Sequence, residues 1–306
     1  MTAGAAAQPR PALVAVQFGI IVVVFGSSFA LTHLALEDVS AVQLGLVRLA
    51  IGTAVIGLLV AVTRQRLPRR PRVYLHFLVF GTIGVGIPPF AFGLAQYEIP
   101  SSIVAIYNSA SPIATAMLTL AVLRAERFTV LRIVGIAFGF AAVVLLVSPW
   151  DSAGSSAPLI YHLLCVAAPV GFAASVVYFQ VFLTPQRIEP LTSAFLASAA
   201  ALLVALPLIP LALSPVGISG PGTIVVIVIL GVVASGLGAV ANIGVLNAWG
   251  PIALTTTAYL IPVVALTIGV ALLGERLRWT DPVAAVVILA SVLLVQRPSR
   301  PDAPVT

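Results

Sequence analysis

Two asparagines stand well inside apolar stretches of this chain, Asn108 in the first half and Asn242 in the second. A side-chain amide in an apolar environment costs roughly 2–7 kcal/mol without hydrogen-bond partners, so each amide must face protein or water. One interpretation is a hydrogen bond between membrane helices, which contributes about 0.6 kcal/mol on average. The other is a neutral donor and acceptor for a ligand that carries an ammonium and a carboxylate.

Aromatic and hydroxyl side chains in the same apolar stretches extend this candidate binding set. Phe25 and Phe172 occupy matching places in the two halves, which suggests apolar cavity walls, although a single phenylalanine in a membrane helix usually packs or contacts lipid. Small hydroxyls often bond back to their own helix, so we rank them below the asparagines. The candidate hydroxyls are Tyr107, Tyr259, Ser27, Ser28 and Thr257.

Charged residues make up only 8% of the chain, so their positions are informative. Glu126-Arg127 and Glu275-Arg276 each close an apolar run, 14 and 13 residues after a lone proline. We predict structural roles, in which each arginine bonds the last carbonyls of its helix and each glutamate meets a neighbouring arginine. Arg48 lies inside an apolar run. We favour a structural arginine that bonds carbonyls or external carboxylates, and the alternative is an anchor for a substrate carboxylate.

Pro88 and Pro89 stand in the middle of another apolar run and remove backbone hydrogen bonds there. They predict a fixed kink, a hinge between conformations, or both. No acidic residue falls inside an apolar run, so no carboxylate there is a candidate for a proton or sodium relay. The sequence contains no Walker A motif, nucleophile elbow or metal-ligand cluster. We therefore expect no enzyme activity, no cofactor and no metal.

The composition indicates that the elements that carry these residues are surrounded by lipid. The 306 residues are 60% hydrophobic, and the mean hydropathy is +1.17, whereas a soluble domain carries roughly 25% charged residues. Apolar runs of about 20 residues predict transmembrane helices. We place ten spans, at 13–35, 40–63, 73–96, 100–123, 129–148, 158–183, 190–213, 222–247, 252–273 and 282–296, with a break at 249–251 between spans 8 and 9.

The arginines predict the orientation of these spans. The net charge is +6, but the basic residues lie in the gaps between apolar runs, which indicates membrane topology and not a nucleic-acid surface. With a cytoplasmic N-terminus, twelve of the fifteen arginines are cytoplasmic, counting Arg132 at the cytoplasmic end of span 5, two are external, and Arg48 lies inside a span. The bias predicts that both termini of this multi-pass protein lie in the cytoplasm. We expect the membrane to be the bacterial inner membrane.

The two halves of the chain look like copies of one unit. Phe25 and Phe172 are 147 residues apart, and the prolines before the two Glu-Arg pairs are 150 residues apart. Because five spans are an odd number, the second copy must cross the membrane in the reverse sense. We predict an all-α integral membrane protein of ten helices, as two inverted five-helix repeats around a central cavity. The expected parts are a tail at 1–12, repeats at 13–150 and 151–296, and a tail at 297–306.

These features together resemble a known family. The FGSSF motif at 25–29, the two five-helix halves and the paired proline-to-Glu-Arg endings resemble the drug/metabolite transporter superfamily, in its EamA-type ten-helix branch. Within it, Asn108 four residues before a proline and the NIGVL motif at 242–246 look most like the YddG-type amino-acid exporters. The chain has Phe25, Ser111 and Phe172 where that subgroup tends to have tryptophan.

The resemblance implies a cavity lined by spans 1, 3, 4, 6, 8 and 9. It also implies a secondary transporter that exports small metabolites, with amino acids as the leading class, by alternating access. The alternatives are an exporter of drugs or other small organic metabolites, a channel-like pore, and a membrane scaffold without transport activity. The expected partners are the lipid bilayer and a small-molecule substrate, with no nucleic acid. We expect a monomer, with a homodimer as the alternative.

Overall fold

The computed structural model describes residues 11–123, 134–135, 137–139, 141–142, 145, 157–215 and 217–295. Within these residues the regular structure is helical, without a β-strand. The helices are α1 (Pro11–Leu36), α2 (Ala41–Val62), α3 (Pro71–Ala95), α4 (Ser101–Asn108), α5 (Ser111–Leu123), α6 (Leu159–Gln186), α7 (Pro190–Ala212), α8 (Pro221–Trp249), α9 (Leu260–Leu273) and α10 (Thr280–Val295).

Six of these helices, α1, α2, α3, α6, α7 and α8, are long and apolar enough to cross a membrane. They are apolar on all sides, since α2 buries Ile56 and Val60 while Leu58 and Val62 of the same helix are exposed. Lipid tails cover such exposed apolar side chains, and a helix satisfies its own backbone groups. The prediction of an all-helical membrane protein is confirmed, and the count of ten helices stays a prediction.

The predicted span 4 is broken into α4 and α5. Pro112 has no N–H to donate, and its ring crowds the carbonyl of Asn108 four residues earlier. The hydroxyl of Ser111 donates to that carbonyl at 2.6 Å and replaces the missing bond. The break therefore leaves Asn108 at the end of one half-helix and Ser111 at the start of the next.

The described residues contain three π-helical segments, one of them at Phe179–Leu183 in α6, and the other two extend the evidence for duplication. They lie at Gly81–Gly86 in α3 and at Leu230–Leu237 in α8. The sequence GTIGVG at 81–86 aligns with GVVASG at 231–236, with glycine at both ends of each, at the offset expected for the repeats. Single-turn π segments are rare in α-helices and are frequent at functional sites.

The helix contacts of these segments also correspond between the two halves of the chain. The π segment of α8 packs on α2, and the π segment of α3 packs on α7. A Cβ added to Gly231 would lie 2.7 Å from the Cβ of Ile51 in α2, and a Cβ added to Gly81 would overlap the carbonyl oxygen of Ala197 in α7. Likewise α1 packs on α8 and α9, and α6 packs on α3, α4 and α5. These pairs interchange when the halves are exchanged, as two related repeats require.

The residues that join the predicted spans 8 and 9 are helical in backbone conformation, within Gly238–Leu273, so the turn expected at 249–251 does not appear as a non-helical segment. Proline fits helical backbone geometry because its φ is fixed near −65°. A straight helix would separate residues 238 and 264 by about 39 Å. Yet Gly238 lies against the ring of Phe25, and Val264 lies against Gly26, the next residue of α1. The chain must therefore reverse direction between these contacts.

The loop between α1 and α2 is tied to the start of α8. Asp38 accepts hydrogen bonds from the backbone N–H of Ser219 at 3.2 Å, from its hydroxyl at 2.8 Å, and from the hydroxyl of Thr223. These bonds stabilise the charged carboxylate and lower the pKa of Asp38, the bond from Thr223 having the largest effect. This contact joins the two predicted halves at one end of the helices.

Several predicted features lie outside the described residues. They are most of span 5 at 129–148, the pair Glu126-Arg127, the C-terminal tail at 297–306, and all but the last two residues of the N-terminal tail at 1–12.

Candidate functional site

A cavity of about 200 Å³ lies between the helices. Its wall includes the residues expected from spans 1, 3, 4, 6, 8 and 9, but also Arg48 and Leu49 of α2 and Ala194 and Ala197 of α7. The expected set of lining helices was therefore incomplete. The close approach of α2 to α8 and of α7 to α3, at the π segments of α8 and α3, brings these helices to the cavity.

The cavity brings together most of the predicted substrate-binding and hinge residues. These are Asn108, Asn242, Phe25, Phe172, Ser28, Thr257, Pro88 and Pro89. They come from both halves of the chain and are far apart in sequence. Their role in substrate binding stays a prediction.

Asn108 owes its place in the cavity wall to the break between α4 and α5. Its side-chain oxygen receives only a long hydrogen bond, 3.4 Å, from the hydroxyl of Ser111. The side chain is partly exposed, while the seven residues before it are buried. The broken helix thus presents an amide with unused hydrogen-bonding capacity to the cavity.

Asn242 lies in α8, five residues beyond the π segment, and is also partly exposed at the cavity wall. Among the described residues its side-chain amide has no hydrogen-bond partner, so the interhelical bond that we considered does not form there. Two amides, one from each predicted half, are therefore available to a ligand.

Aromatic rings form part of the cavity wall. Phe25 of α1 contacts Gly238 of α8, where an added Cβ would lie 3.2 Å from the ring. Phe29 and Phe92 meet edge to face, with ring centroids 5.6 Å apart, and Phe172 lies in the same wall. Such rings offer apolar surface to a ligand while the few polar groups orient it.

The hydroxyls of Ser28 and Thr257 are in the cavity wall but bond to their own helices. Ser28 donates to the carbonyl of Phe25 at 2.8 Å, and Thr257 donates to the carbonyl of Leu254 at 2.6 Å. A hydroxyl that donates to its own helix still has lone pairs to accept a bond. These two residues can therefore accept, but not readily donate, a bond from the wall.

Two other predicted hydroxyls, those of Tyr107 and Ser27, are not found in the cavity wall. Tyr107 is fully buried, and its hydroxyl lies 2.9 Å from Nδ1 of His162 in α6. This pair joins α4 to α6 inside the protein, so Tyr107 does not present its hydroxyl to a ligand. Ser27 points away and donates to the carbonyl of Val23 at 2.8 Å. The side chain of Tyr259 lies outside the described part of the structure.

Pro88 and Pro89 lie just after the π segment of α3, separated from it by Ile87. Pro88 is buried and Pro89 is partly exposed, and both contribute to the cavity wall. The wider π turn accommodates the backbone where prolines cannot donate. Gly84 of this segment lies against the hydroxyl of Ser175, with no room for a Cβ. A π segment precedes these prolines, and both the predicted kink and its role as a hinge stay predictions.

Arg48 is part of the cavity wall and is 9% exposed. Its Nη1 donates to the hydroxyl of Thr32 at 3.1 Å, and its Nε lies 3.4 Å from the hydroxyl of Ser235 in the π segment of α8. The bonds that we expected, to carbonyls or external carboxylates, are not found in the described part of the chain. The close packing of α2 on α8 explains this difference, because it turns Arg48 towards the cavity.

Sequence reasoning also missed Gln96, which follows α3 and is part of the cavity wall. It is 5% exposed, and its Oε1 has no hydrogen-bond partner in the part of the chain that the structure describes. A glutamine at a helix end is ordinary at a membrane surface, so its type and position carry little signal. Only the fold shows that this amide is buried beside the cavity.

The Glu275-Arg276 pair is arranged differently from our prediction. Glu275 does not meet an arginine, because its carboxylate accepts from the backbone N–H groups of Ser101 and Ser102 at 2.9 and 3.2 Å and from both serine hydroxyls. It therefore stabilises the N-terminus of α4, where backbone N–H groups lack partners within the helix. Arg276 is exposed. The pair joins α9 to α4, and not α9 to α10.

Comparisons with known proteins agree with the fold. A sequence model described as the EamA-like transporter family matches twice, over residues 13–148 and 159–297, which is compatible with the predicted repeats 13–150 and 151–296. A solved structure described only as "Crystal structure of protein" has a TM-score of 0.67 and 19% identity, covering 94% of this chain and 97% of that one. At that identity the likeness concerns the fold alone.

No curated protein matches the chain. None of the comparisons separates the YddG-type subgroup from the rest of the branch, so that part of the resemblance stays a prediction. Proteins of the matched family are membrane transporters of small molecules and not enzymes. Because the two matches together cover most of the chain and agree with its apolar helices, the chain belongs to the EamA-like transporter family.

Proposed function

We propose that this chain is a secondary transporter that exports small metabolites, with amino acids as the leading class, across the bacterial inner membrane. The observation that supports this most directly is the pair Asn108 and Asn242, which come from different halves and share one cavity. Amides both donate and accept, so together they suit a ligand that carries an ammonium and a carboxylate.

The size of the cavity favours a small substrate. Its volume of about 200 Å³ is below the roughly 300–1,000 Å³ of typical pockets for drug-sized ligands. The aromatic rings of the wall favour an apolar portion beside the polar groups. These features favour amino acids over larger drugs.

The related halves support transport by alternating access. When two inverted repeats exchange conformations, the state open to one side is the counterpart of the state open to the other. A site between Asn108 and Asn242 then serves both states. The same arrangement disfavours a channel, which needs a continuous pore.

Counterflow tests the activity. The purified chain is reconstituted in liposomes loaded with one unlabelled amino acid at a time, and uptake of the same labelled amino acid is followed. A carrier gives a transient overshoot, whereas a channel or a scaffold gives none. The absence of overshoot for all twenty amino acids would refute this assignment.

Replacing either asparagine tests the site. Asn108→Leu or Asn242→Leu removes a donor and an acceptor with little change in volume. We expect affinity to fall roughly 10- to 150-fold, which corresponds to about 1.5–3 kcal/mol for a bond to a charged ligand. Ser28→Ala and Thr257→Ala serve as milder controls, because their hydroxyls are already bonded to their own helices. Unchanged affinity in both asparagine variants would place the site elsewhere.

The proposed orientation, with both termini in the cytoplasm, is testable by labelling. The only cysteine, Cys165, is buried, so a Cys165→Ala chain offers a background for single introduced cysteines. A cysteine at Gln65 is expected to react only from the cytoplasmic side, and one at Glu98 only from outside. The reverse pattern would contradict the proposed topology.

A further inference from the structure

Arg48 is the one charged side chain in the cavity wall, as far as the structure describes it. It lies in α2, seven residues after the first residue of that helix, inside an apolar segment that is long enough to cross a membrane. A charged residue within a membrane helix costs about 2.5–3.5 kcal/mol on insertion scales and marks a substrate or ion pathway in many proteins. The question for Arg48 is therefore which groups bind its guanidinium and balance its charge.

The protein provides hydrogen-bond acceptors for only some of the N–H donors of the Arg48 guanidinium. An arginine carries five N–H donors in a planar fork. Thr32 accepts one bond, at 3.1 Å, and Ser235 accepts a second, longer one, at 3.4 Å. Among the described residues, Nη2 has no hydrogen-bond partner. The two neighbours are neutral hydroxyls, so they fix the position of the guanidinium without balancing its charge.

No carboxylate in the described part of the chain forms an ion pair with Arg48. The nearest acidic residues in sequence, Glu37 and Asp38, precede α2, and Asp38 is occupied by the hydroxyls of Ser219 and Thr223. Buried charges in proteins are normally paired or hydrogen-bonded throughout. The missing negative charge is therefore expected from a molecule in the cavity.

Gln96 is a second, independent sign of a missing polar ligand. It is 5% exposed, lines the same cavity, and its Oε1 has no partner among the described residues. A buried amide oxygen without a donor is uncommon in native structures and needs an explanation. This oxygen is shielded in the structure, so a ligand N–H group in the cavity would supply the donor once the amide turns its oxygen towards the cavity.

We propose that Arg48 binds the carboxylate of the transported substrate and that Gln96 accepts a hydrogen bond from its amino group. This assignment rests on the proposed function and names the chemical class of the substrate as a carboxylate. The planar fork of arginine matches a carboxylate in two parallel bonds. A single positive charge in a small cavity suits a monoanionic group, whereas a phosphate dianion would leave excess negative charge.

Matched ligands test the proposal on the unmodified protein. The probes are L-leucine, L-leucinamide, which lacks the charged carboxylate, and 4-methylpentanoate, which lacks the amino group. Binding to the purified full-length chain is measured by ligand-induced thermal stabilisation and by calorimetry. We expect leucine to bind roughly 10- to 150-fold more tightly than leucinamide, the range that corresponds to a hydrogen bond to a charged group.

Variants then assign the preference to residues. Arg48→Gln is expected to remove the preference for leucine over leucinamide, while Arg72→Gln, which changes an exposed arginine at the start of α3, keeps it. Gln96→Leu is expected to weaken the binding of leucine but not the binding of 4-methylpentanoate. Should Arg48→Gln fail to fold, the comparison of the three probes on the wild-type chain and on Gln96→Leu still decides the question.

The outcomes separate this proposal from the proposed function. Equal binding of leucine and leucinamide to the wild-type chain, or a preference that survives Arg48→Gln, would overturn the carboxylate site. Binding of none of the three probes at millimolar concentration would overturn it as well. Counterflow of both leucine and leucinamide at equal affinity would leave transport intact and refute only the role of Arg48. A clear acid preference without any counterflow would support the site and refute the transport function.

Discussion

Replacing Glu275 with glutamine tests how the end of α9 holds the start of α4. The carboxylate accepts four hydrogen bonds, two from backbone N–H groups and two from hydroxyls, all from Ser101 and Ser102. Gly274, in the left-handed region with φ of 64°, ends the helix and places Glu275 there. A Cβ on Gly269 would lie 2.5 Å from Oε2, so the carboxylate fits closely.

The expected loss of unfolding free energy follows from the hydrogen bonds that glutamine cannot make. One side-chain oxygen remains and can serve Ser101, but the new NH₂ group faces the backbone N–H of Ser102, so two donors meet. Loss of one bond to a charged group costs about 1.5–3 kcal/mol, and the charge at the helix N-terminus contributes about 0.3–1 kcal/mol. Because Glu275 is partly exposed, we expect a total of about 1.5–3 kcal/mol.

Thermal unfolding of the purified chain in detergent measures this effect. At roughly 2–4 °C per kcal/mol, the expected decrease in Tm of Glu275→Gln is on the order of 3–12 °C. Glu37→Gln is the matched control, because it removes the same charge from an exposed position, and we expect its Tm to be nearly unchanged. Transport by the folded Glu275→Gln protein should persist. An unchanged Tm together with lost transport would show that Glu275 acts in transport and that its structural role is misread.

Three further predictions concern other contacts. Asp38→Asn should lower the Tm at neutral pH. Because the folded-state pKa of Asp38 lies below the ordinary value of 3.8, the difference in Tm from wild type should be constant at higher pH and vanish as the pH falls through the folded pKa. A difference in Tm that grew in acid would contradict this. Tyr107→Phe should cost about 0.5–1.5 kcal/mol of stability, since it removes one buried hydrogen bond, while the substrate affinity, measured by calorimetry, stays the same. Lost affinity would return Tyr107 to the binding site. Gly26→Ala should destabilise the protein by about 1–3 kcal/mol, because the new Cβ would lie 2.6 Å from the Cβ of Val264. Gly19→Ala should not destabilise it, because Gly19 has open space around it. Equal Tm values for these two variants would refute the close contact of α1 with α9.

The membrane class and the helical runs of this chain could be predicted because they depend on local composition. A run of about 20 apolar residues is stable in lipid whichever neighbours it meets. The duplication was also visible, since Phe25 and Phe172 and the two Glu-Arg pairs recur at nearly constant offsets. Proline chemistry was visible in part, because Pro112 marks the position where the predicted span 4 breaks.

The contents of the cavity wall depended on the tertiary structure. In a soluble protein the apolar stripe of a helix shows which face is buried, but a membrane helix is apolar towards both lipid and protein, so its sequence has no period that distinguishes the two faces. Nothing in the order of residues could therefore separate Ser28, which is in the wall, from Ser27, which is not. The direction of Arg48 was undetermined for the same reason, until the close packing of α2 on the π segment of α8 placed its guanidinium beside Ser235 and the cavity.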